Sequence, residues 1–222
     1  MYWWADVPTK KLSQLYVEEV NYVSQAPSVQ YRGIFINDEG WGITPWAGKT
    51  FDKELGDIGP KTYAKVCELI LRMKGNVLAP AMHPSSGAFN KYPENKMVAD
   101  SYGIIMSSSH CEPLLFNNVT EWDKKTMGEW NYMTNKEGIN KILDQRVSGN
   151  APYENIYTIA MRGIHDAGLV GVPKDKEVSL VEEVIADQRE ILKKHIDAPL
   201  DSVPQIFVPY KEVLDIYERG LR

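Results

Sequence analysis

The chain has 222 residues, with 25 basic and 30 acidic side chains and a formal charge of −5. That length builds one sizeable domain and is marginal for two. The acidic balance and the lack of a Lys/Arg stripe argue against a nucleic-acid partner, and no apolar run reaches the roughly eighteen residues that a membrane-spanning helix needs.

Residues 1–28 carry Pro8, Lys10, Lys11 and Pro27 without a clean period, and read as an entry segment or the tail of a preceding domain. The opening Met-Tyr-Trp-Trp-Ala-Asp lacks a basic region followed by an apolar core, so it is no secretory signal. The compartment stays open, a secreted or periplasmic parent included.

From residue 29 to residue 222, strand and helix alternate. The expected strands are short apolar runs at 31–36, 77–82, 104–109, 156–161 and 205–210. A first helix begins at Gly59-Pro60, with proline at its first position, and stops at Gly75-Asn76. Its stripe is Tyr63, Val66, Leu69, Ile70 and Met73. A short helix over 94–102 separates the second and third strands. The next opens on a capping box, Thr134 with Glu137, and the one after it on Ser179 with Glu182. A last helix starts near Lys211 and holds Val213, Leu214, Ile216 and Tyr217. Cys67 and Cys111 lack metal-type spacing and read as free thiols.

Five β–α units in series predict an α/β fold with parallel strands and right-handed crossovers. Two architectures fit: an incomplete (β/α)8 TIM barrel of five consecutive units, or a five-stranded open parallel sheet of the flavodoxin kind. Long loops after the first and third strands (41–58 and 111–133) favour the barrel, as does the missing Gly-rich phosphate turn after the first strand.

Polar groups gather where the strands end. Asn37, Asp38 and Glu39 follow the first strand, His83 the second, His110 the third, Arg162 and His165 the fourth, and Lys211 with Glu212 the fifth. In parallel α/β folds that end carries the chemistry. In a closed barrel the first and fifth strands face each other. Asp38 and Glu212 then suit inverting glycoside hydrolysis, which needs carboxyls roughly 6.5–9.5 Å apart. The competing reading makes Asp38 a loop cap and Glu212 a first-turn helix acid. Arg162 offers a planar fork for a substrate carboxylate, or else pairs with a nearby acid such as Asp166 or Glu112. The three histidines donate to sugar hydroxyls, bind a metal or pack. Trp41, Trp46 and Trp122 stack on sugars or seal the loops.

Several segments together resemble glycoside hydrolase family 115: Arg32-Gly-Ile-Phe-Ile-Asn-Asp-Glu39, Pro45-Trp46-Ala47, Ile58-Gly-Pro-Lys-Thr-Tyr63, Ala79-Pro-Ala-Met-His83, Pro93-Glu-Asn-Lys96, Ser108-Ser-His-Cys-Glu-Pro113, Asn117-Asn118, Glu121-Trp-Asp123, Tyr157-Thr-Ile-Ala-Met-Arg-Gly-Ile-His-Asp166 and Pro209-Tyr-Lys-Glu212. They are collinear over about residues 30 to 222. The resemblance implies an inverting α-glucuronidase that removes 4-O-methylglucuronic acid from glucuronoxylan or its oligosaccharides. The parent it implies is larger, often dimeric, and carries the site on a (β/α)8 barrel.

By the same resemblance Asp38 and Glu212 match the catalytic carboxylates, and Arg162 and His110 match site positions. Asn37, His83, His165 and Trp41 join them as substrate-binding candidates. No metal or cofactor is called for. Residues 29–222 then form the first five-eighths of a barrel domain, which is expected to be inactive or misfolded alone because its open edges are unfavourable. Two other readings stand beside this one: a metal-dependent hydrolase using His83, His110 and His165, and a carbohydrate-binding scaffold without turnover.

Overall fold

In the computed structural model, residues 11–221 are described. The first ten residues of the expected entry segment lie outside them. Residues 11–30 are exposed and contain no helix or strand.

The elements run β1 (Gly33–Phe35), α1 (Ile43–Ala47), α2 (Pro60–Arg72), β2 (Val77–Ala79), α3 (Pro93–Ser101), β3 (Ile105–Met106), α4 (Lys124–Met127), α5 (Tyr132–Asn150), β4 (Tyr157–Ile159), α6 (Glu177–His195), β5 (Gln205–Phe207) and α7 (Glu212–Glu218). All five expected strands form, each shorter than its apolar run, because the polar strand ends leave the ladder to enter loops. Every pairing is parallel: β1 with β2, β2 with β3, and β4 with β5. A parallel bridge from Met106 to Asn155 links β3 to the segment entering β4. Spatial order therefore follows chain order. A flavodoxin-type sheet places its first strand between the second and third, whereas here β1 lies outside β2, so that alternative does not describe the arrangement.

Local chemistry explains the register and the helix ends. A Cβ on Gly33 would lie 1.9 Å from the Val77 carbonyl oxygen, so the close approach of β1 to β2 requires glycine. Proline opens α2 as expected, and the buried Asp52 carboxylate accepts the backbone N–H groups of Gly59, Lys61 and Thr62, which have no partner inside the helix. The far end is a Schellman motif: Lys74 N–H donates to Leu71 and Gly75 N–H to Ile70. The left-handed residue is Lys74, at φ 60°, and not the glycine after it.

Both expected capping boxes fall inside their helices. Asn131 caps α5 by accepting from Met133 N–H, and α5 kinks at Asn135. Helix α6 starts at Glu177 with no side-chain cap, and the Ser179 hydroxyl donates back to the Lys176 carbonyl.

Two large apolar clusters and a smaller one of Ala160, Val181, Ile216 and Leu221 hold these elements. One packs Tyr63, Val66, Cys67 and Ile70 of α2 against Leu78, Ile104 and Met106. The other joins Ile139, Leu143 and Val147 of α5 to Val184 and Leu192 of α6 and to Trp122 and Trp130. Strand β1 is thinly covered, with Ile34 and Phe35 exposed at 41% and 44%.

Candidate active site

The strand ends deliver their side chains into two hydrogen-bonded groups. The first draws on β1, β2 and β4. His83 Nε2 lies 2.7 Å from Asn37 Oδ1, and His83 Nδ1 lies 3.0 Å from His165 Nε2. One consistent polarity has His83 donating to Asn37 and accepting from His165. Burial, and then the neighbouring His83, hold His165 below the usual histidine range, so it is neutral at pH 7. His165 is left-handed at φ 54°. Asn118 clasps that loop, accepting from His165 N–H at 3.1 Å and donating to the Gly163 carbonyl at 3.1 Å. A Cβ on Gly163 would fall 2.2 Å from the Gly168 carbonyl oxygen, so the tight return of the loop depends on glycine.

The second group is centred on Arg162, which is only 2% exposed. Its Nη1 donates to Asp166 Oδ1 at 2.9 Å and its Nη2 to Glu212 Oε2 at 3.0 Å. Arg162 Nε lies 2.8 Å from Glu212 Oε1, but neither atom has a hydrogen-bond partner of good alignment, so this contact is an ion pair without a linear bond. Asp166 also meets His110 Nε2 at 2.9 Å and Lys211 Nζ at 2.9 Å. Burial pushes the Asp166 carboxyl upward, but His110, Lys211 and Arg162 outweigh it and hold the group well below the usual carboxylate range. Tyr210 lies edge-on to His110, with ring centroids 4.6 Å apart, and beneath the Arg162 guanidinium at 5.8 Å.

The backbone ahead of Arg162 is itself unusual. Ala160, at the end of β4, has φ 93° and so cannot continue the ladder. Gln188 of α6, fully buried, replaces the lost pairing: its Oε1 accepts from Ala160 N–H at 2.8 Å and its Nε2 donates to the Ala160 carbonyl at 2.9 Å.

Three of the expected site positions find their partners within the protein. Asp38 is 5% exposed, and its carboxylate is spent on its own loop. Oδ1 accepts from Gly42 and Ile43 N–H, each at 3.1 Å, and Oδ2 from Thr44 N–H at 2.8 Å and the Thr44 hydroxyl. Burial works against its charge, yet the Thr44 hydroxyl and the three N–H groups hold its pKa below the ordinary value. This is the loop-cap arrangement, and the Asp38 and Glu212 carboxylates share no partner among the described residues. Arg162, expected either to offer a fork to a substrate carboxylate or to pair with a nearby acid such as Asp166 or Glu112, is bound by Asp166 and by Glu212, and Glu112 is not its partner. The three histidines, expected together, divide between the two groups.

The sequence reading names Asp166 only as a possible partner of Arg162 and gives Lys211 no role beyond its place at the end of the fifth strand. The four-residue spacing from Arg162 and the position of Lys211 beside Glu212 were the available signals. Trp41 is 82% exposed, as a residue awaiting a ligand or one idle in solvent would be.

His110, Cys111 and Asp166 bring three donor atoms within 4.8 Å of one another. The set fits a cation poorly. Lys211 and Arg162 already bind Asp166, and burial pushes the Cys111 thiol up to about 11, away from the thiolate a metal needs.

Residues 24–222 match the family model for glycosyl hydrolase family 115. Among solved structures, a family GH115 4-O-methyl-alpha-glucuronidase, BtGH115A, described with specificity for decorated arabinogalactans, superposes with a TM-score of 0.84 at 42% identity. The overlap covers 89% of this chain and 26% of that one, so the chain spans about a quarter of that protein's length. A comparison with curated proteins gave no match.

Proposed function

The chain belongs to glycosyl hydrolase family 115, and from that premise we propose that it supplies part of the active site of an α-glucuronidase. The reaction is release of 4-O-methylglucuronic acid from glucuronoxylan with inversion, at the C-terminal ends of five successive strands of a (β/α)8 barrel. One observation carries the reading: Arg162, Asp166, His110, Lys211 and Glu212, from the ends of β3, β4 and β5, converge in one charge-balanced group.

In this reading Glu212 and Asp166 are the reacting carboxyls, and Asp38 orders the loop beside them. The two acids meet different nitrogens of one guanidinium, Asp166 at Nη1 and Glu212 at Nη2, and inversion requires that they admit a sugar and a water between them. Asp166, held ionised by its three neighbours, suits the base that activates that water. Arg162 positions both acids. Lys211, half-exposed, is the cation that a uronic carboxylate can reach. His83 and His165, aligned by Asn37, meet sugar hydroxyls, and Trp41 offers a stacking face. No metal enters the scheme.

The test is hydrolysis of glucuronoxylan by the full natural polypeptide that carries these residues. Asp166→Asn and Glu212→Gln should each cut turnover by at least about a thousandfold, about 4 kcal/mol of transition-state stabilisation, with KM little changed. Near-normal turnover in either variant refutes that assignment. Proton NMR of the first-formed sugar anomer decides between inversion and retention. The isolated 222-residue chain is expected to show no turnover, because β1 is thinly covered and β5 lacks a following strand among the described residues. A second substrate, arabinogalactan bearing glucuronyl groups, is favoured by the specificity described for the structural neighbour. Parallel assays on the two polymers separate the readings.

A further inference from the structure

The proposed chemistry leaves one buried ionisable group unused. Glu112 closes the turn that carries His110, and its carboxyl is fully enclosed. Oε2 accepts from Ser109 N–H at 3.0 Å, and Oε1 accepts from Asn117 Nδ2 at 3.0 Å. The backbone of Glu112 adds two further ties to the residues before His110, one from its N–H to the Ser109 carbonyl and one from the Ser108 hydroxyl to its own carbonyl. His110 is therefore held in a ring of bonds between 108 and 112. Through Asn117, which also donates to the Met82 carbonyl at 3.1 Å, the same carboxyl braces the strand end that carries His83.

Among the described residues no cation meets this carboxyl. The charged and titratable groups around it are Cys111 in its own turn, Tyr63 of α2, and Glu121 from the loop before α4, whose charge is taken by Arg146 of α5. An enclosed carboxylate with no positive partner is strongly disfavoured, and burial pushes Glu112 up to about 7. Both its oxygens already accept and the Ser109 hydroxyl also bonds the carboxyl, which leaves the space beside the group as a further direction for a proton. A cavity of about 10 Å³, room for one water, lies beside it, and Asn90 also lines that cavity. Asn90 Oδ1 is a buried acceptor with no donor. The orphaned acceptor and the space fit one bridging water.

We propose that Glu112 is a positioning residue: as a neutral acid it donates through a water in this cavity toward Asn90 and thereby keeps the His110 turn in the geometry that pairs His110 with Asp166. Ionisation breaks that donation and draws further water into the enclosure. The His110 turn then shifts, and the pairing with Asp166 loosens. The functional consequence rests on the α-glucuronidase reading; the structural coupling does not.

The experiment follows carbon-13 resonances of selectively labelled glutamate carboxyls and imidazole resonances of histidines across pH 4 to 9 in the full natural polypeptide that carries these residues. The expected result is a Glu112 inflection near 7, mirrored by a second inflection in His110 that is absent from Glu112→Gln. A Glu112 carboxyl that titrates below about pH 5, as an ordinary glutamate does, overturns the proposal without any variant being needed. An identical His110 curve in wild type and Glu112→Gln overturns it as well. In the full natural polypeptide, the alkaline limb of kcat should lie near pH 7 and move upward by at least one unit in Glu112→Gln, with KM for glucuronoxylan little changed. If the NMR coupling holds but glucuronoxylan is not cleaved, the positioning role stands and the substrate reading falls.

Discussion

Asp38→Asn separates a catalytic carboxylate from a structural one. The wild-type group accepts four hydrogen bonds from the 42–44 segment, and the interaction is charge-assisted. Asparagine keeps one acceptor oxygen and turns an NH2 group toward the other pair of donors. Two donors lose their partner, and each unmet buried group costs roughly 1–3 kcal/mol. Relief of a buried charge offsets part of this, leaving a net loss of about 2–4 kcal/mol. For a domain of this size that lowers Tm by roughly 5–15 °C.

The pH dependence has a definite sign. The folded-state pKa of Asp38 is depressed, so its stabilisation is present above the unfolded value of about 3.9 and is lost as pH falls through the folded value. The gap between wild type and Asp38→Asn should therefore be full at pH 7 and narrow below about pH 4. Urea unfolding at pH 7 and pH 3.5 measures both, and limited proteolysis reports whether the 39–47 loop opens. Equal stability at pH 7 would refute the clasp and return this carboxyl to the chemistry.

Gln188→Leu keeps the volume but strands the Ala160 N–H and carbonyl, and should cost roughly 2–4 kcal/mol in chemical denaturation. Arg162→Lys cannot reach Asp166 and Glu212 together. Both acids are partly exposed, so the expected stability loss is only roughly 1–3 kcal/mol, while turnover in the full natural polypeptide falls at least tenfold; unchanged turnover would show that the guanidinium does not set the acids. Trp41→Ala should leave stability within about 0.5 kcal/mol, since the side chain is mostly exposed. A raised KM for xylan at unchanged Tm then marks a stacking face, and an unchanged KM marks an idle one.

What could be read from the sequence was whatever has a short period or a local signature. Apolar runs placed all five strands, Pro60 placed the start of α2, and the β–α alternation gave parallel pairing. Collinear motifs identified the family. Local reasoning already failed at helix starts: Asn131, not Thr134, caps α5, because a capping motif names a partner a few residues away and several such partners were on offer.

Pairing across long separations was decided only by the tertiary structure. The His83–His165 contact spans 82 residues, and the Arg162–Glu212 pair spans 50. Whether Arg162 faces solvent or two protein acids depends on how β4 and β5 lie side by side and on the left-handed step at Ala160 that Gln188 stabilises. Asp38 and Asp166 are both aspartates just past a strand end, and beyond the four-residue spacing of Asp166 from Arg162 no pattern in the chain tells them apart. Their difference comes from the donors nearby: four groups of its own loop fold onto Asp38, whereas Arg162, His110 and Lys211 arrive at Asp166 from three separate strand ends. A hydrogen bond is set by position in space, and the order of residues alone carries that position only where the partners are close neighbours along the chain.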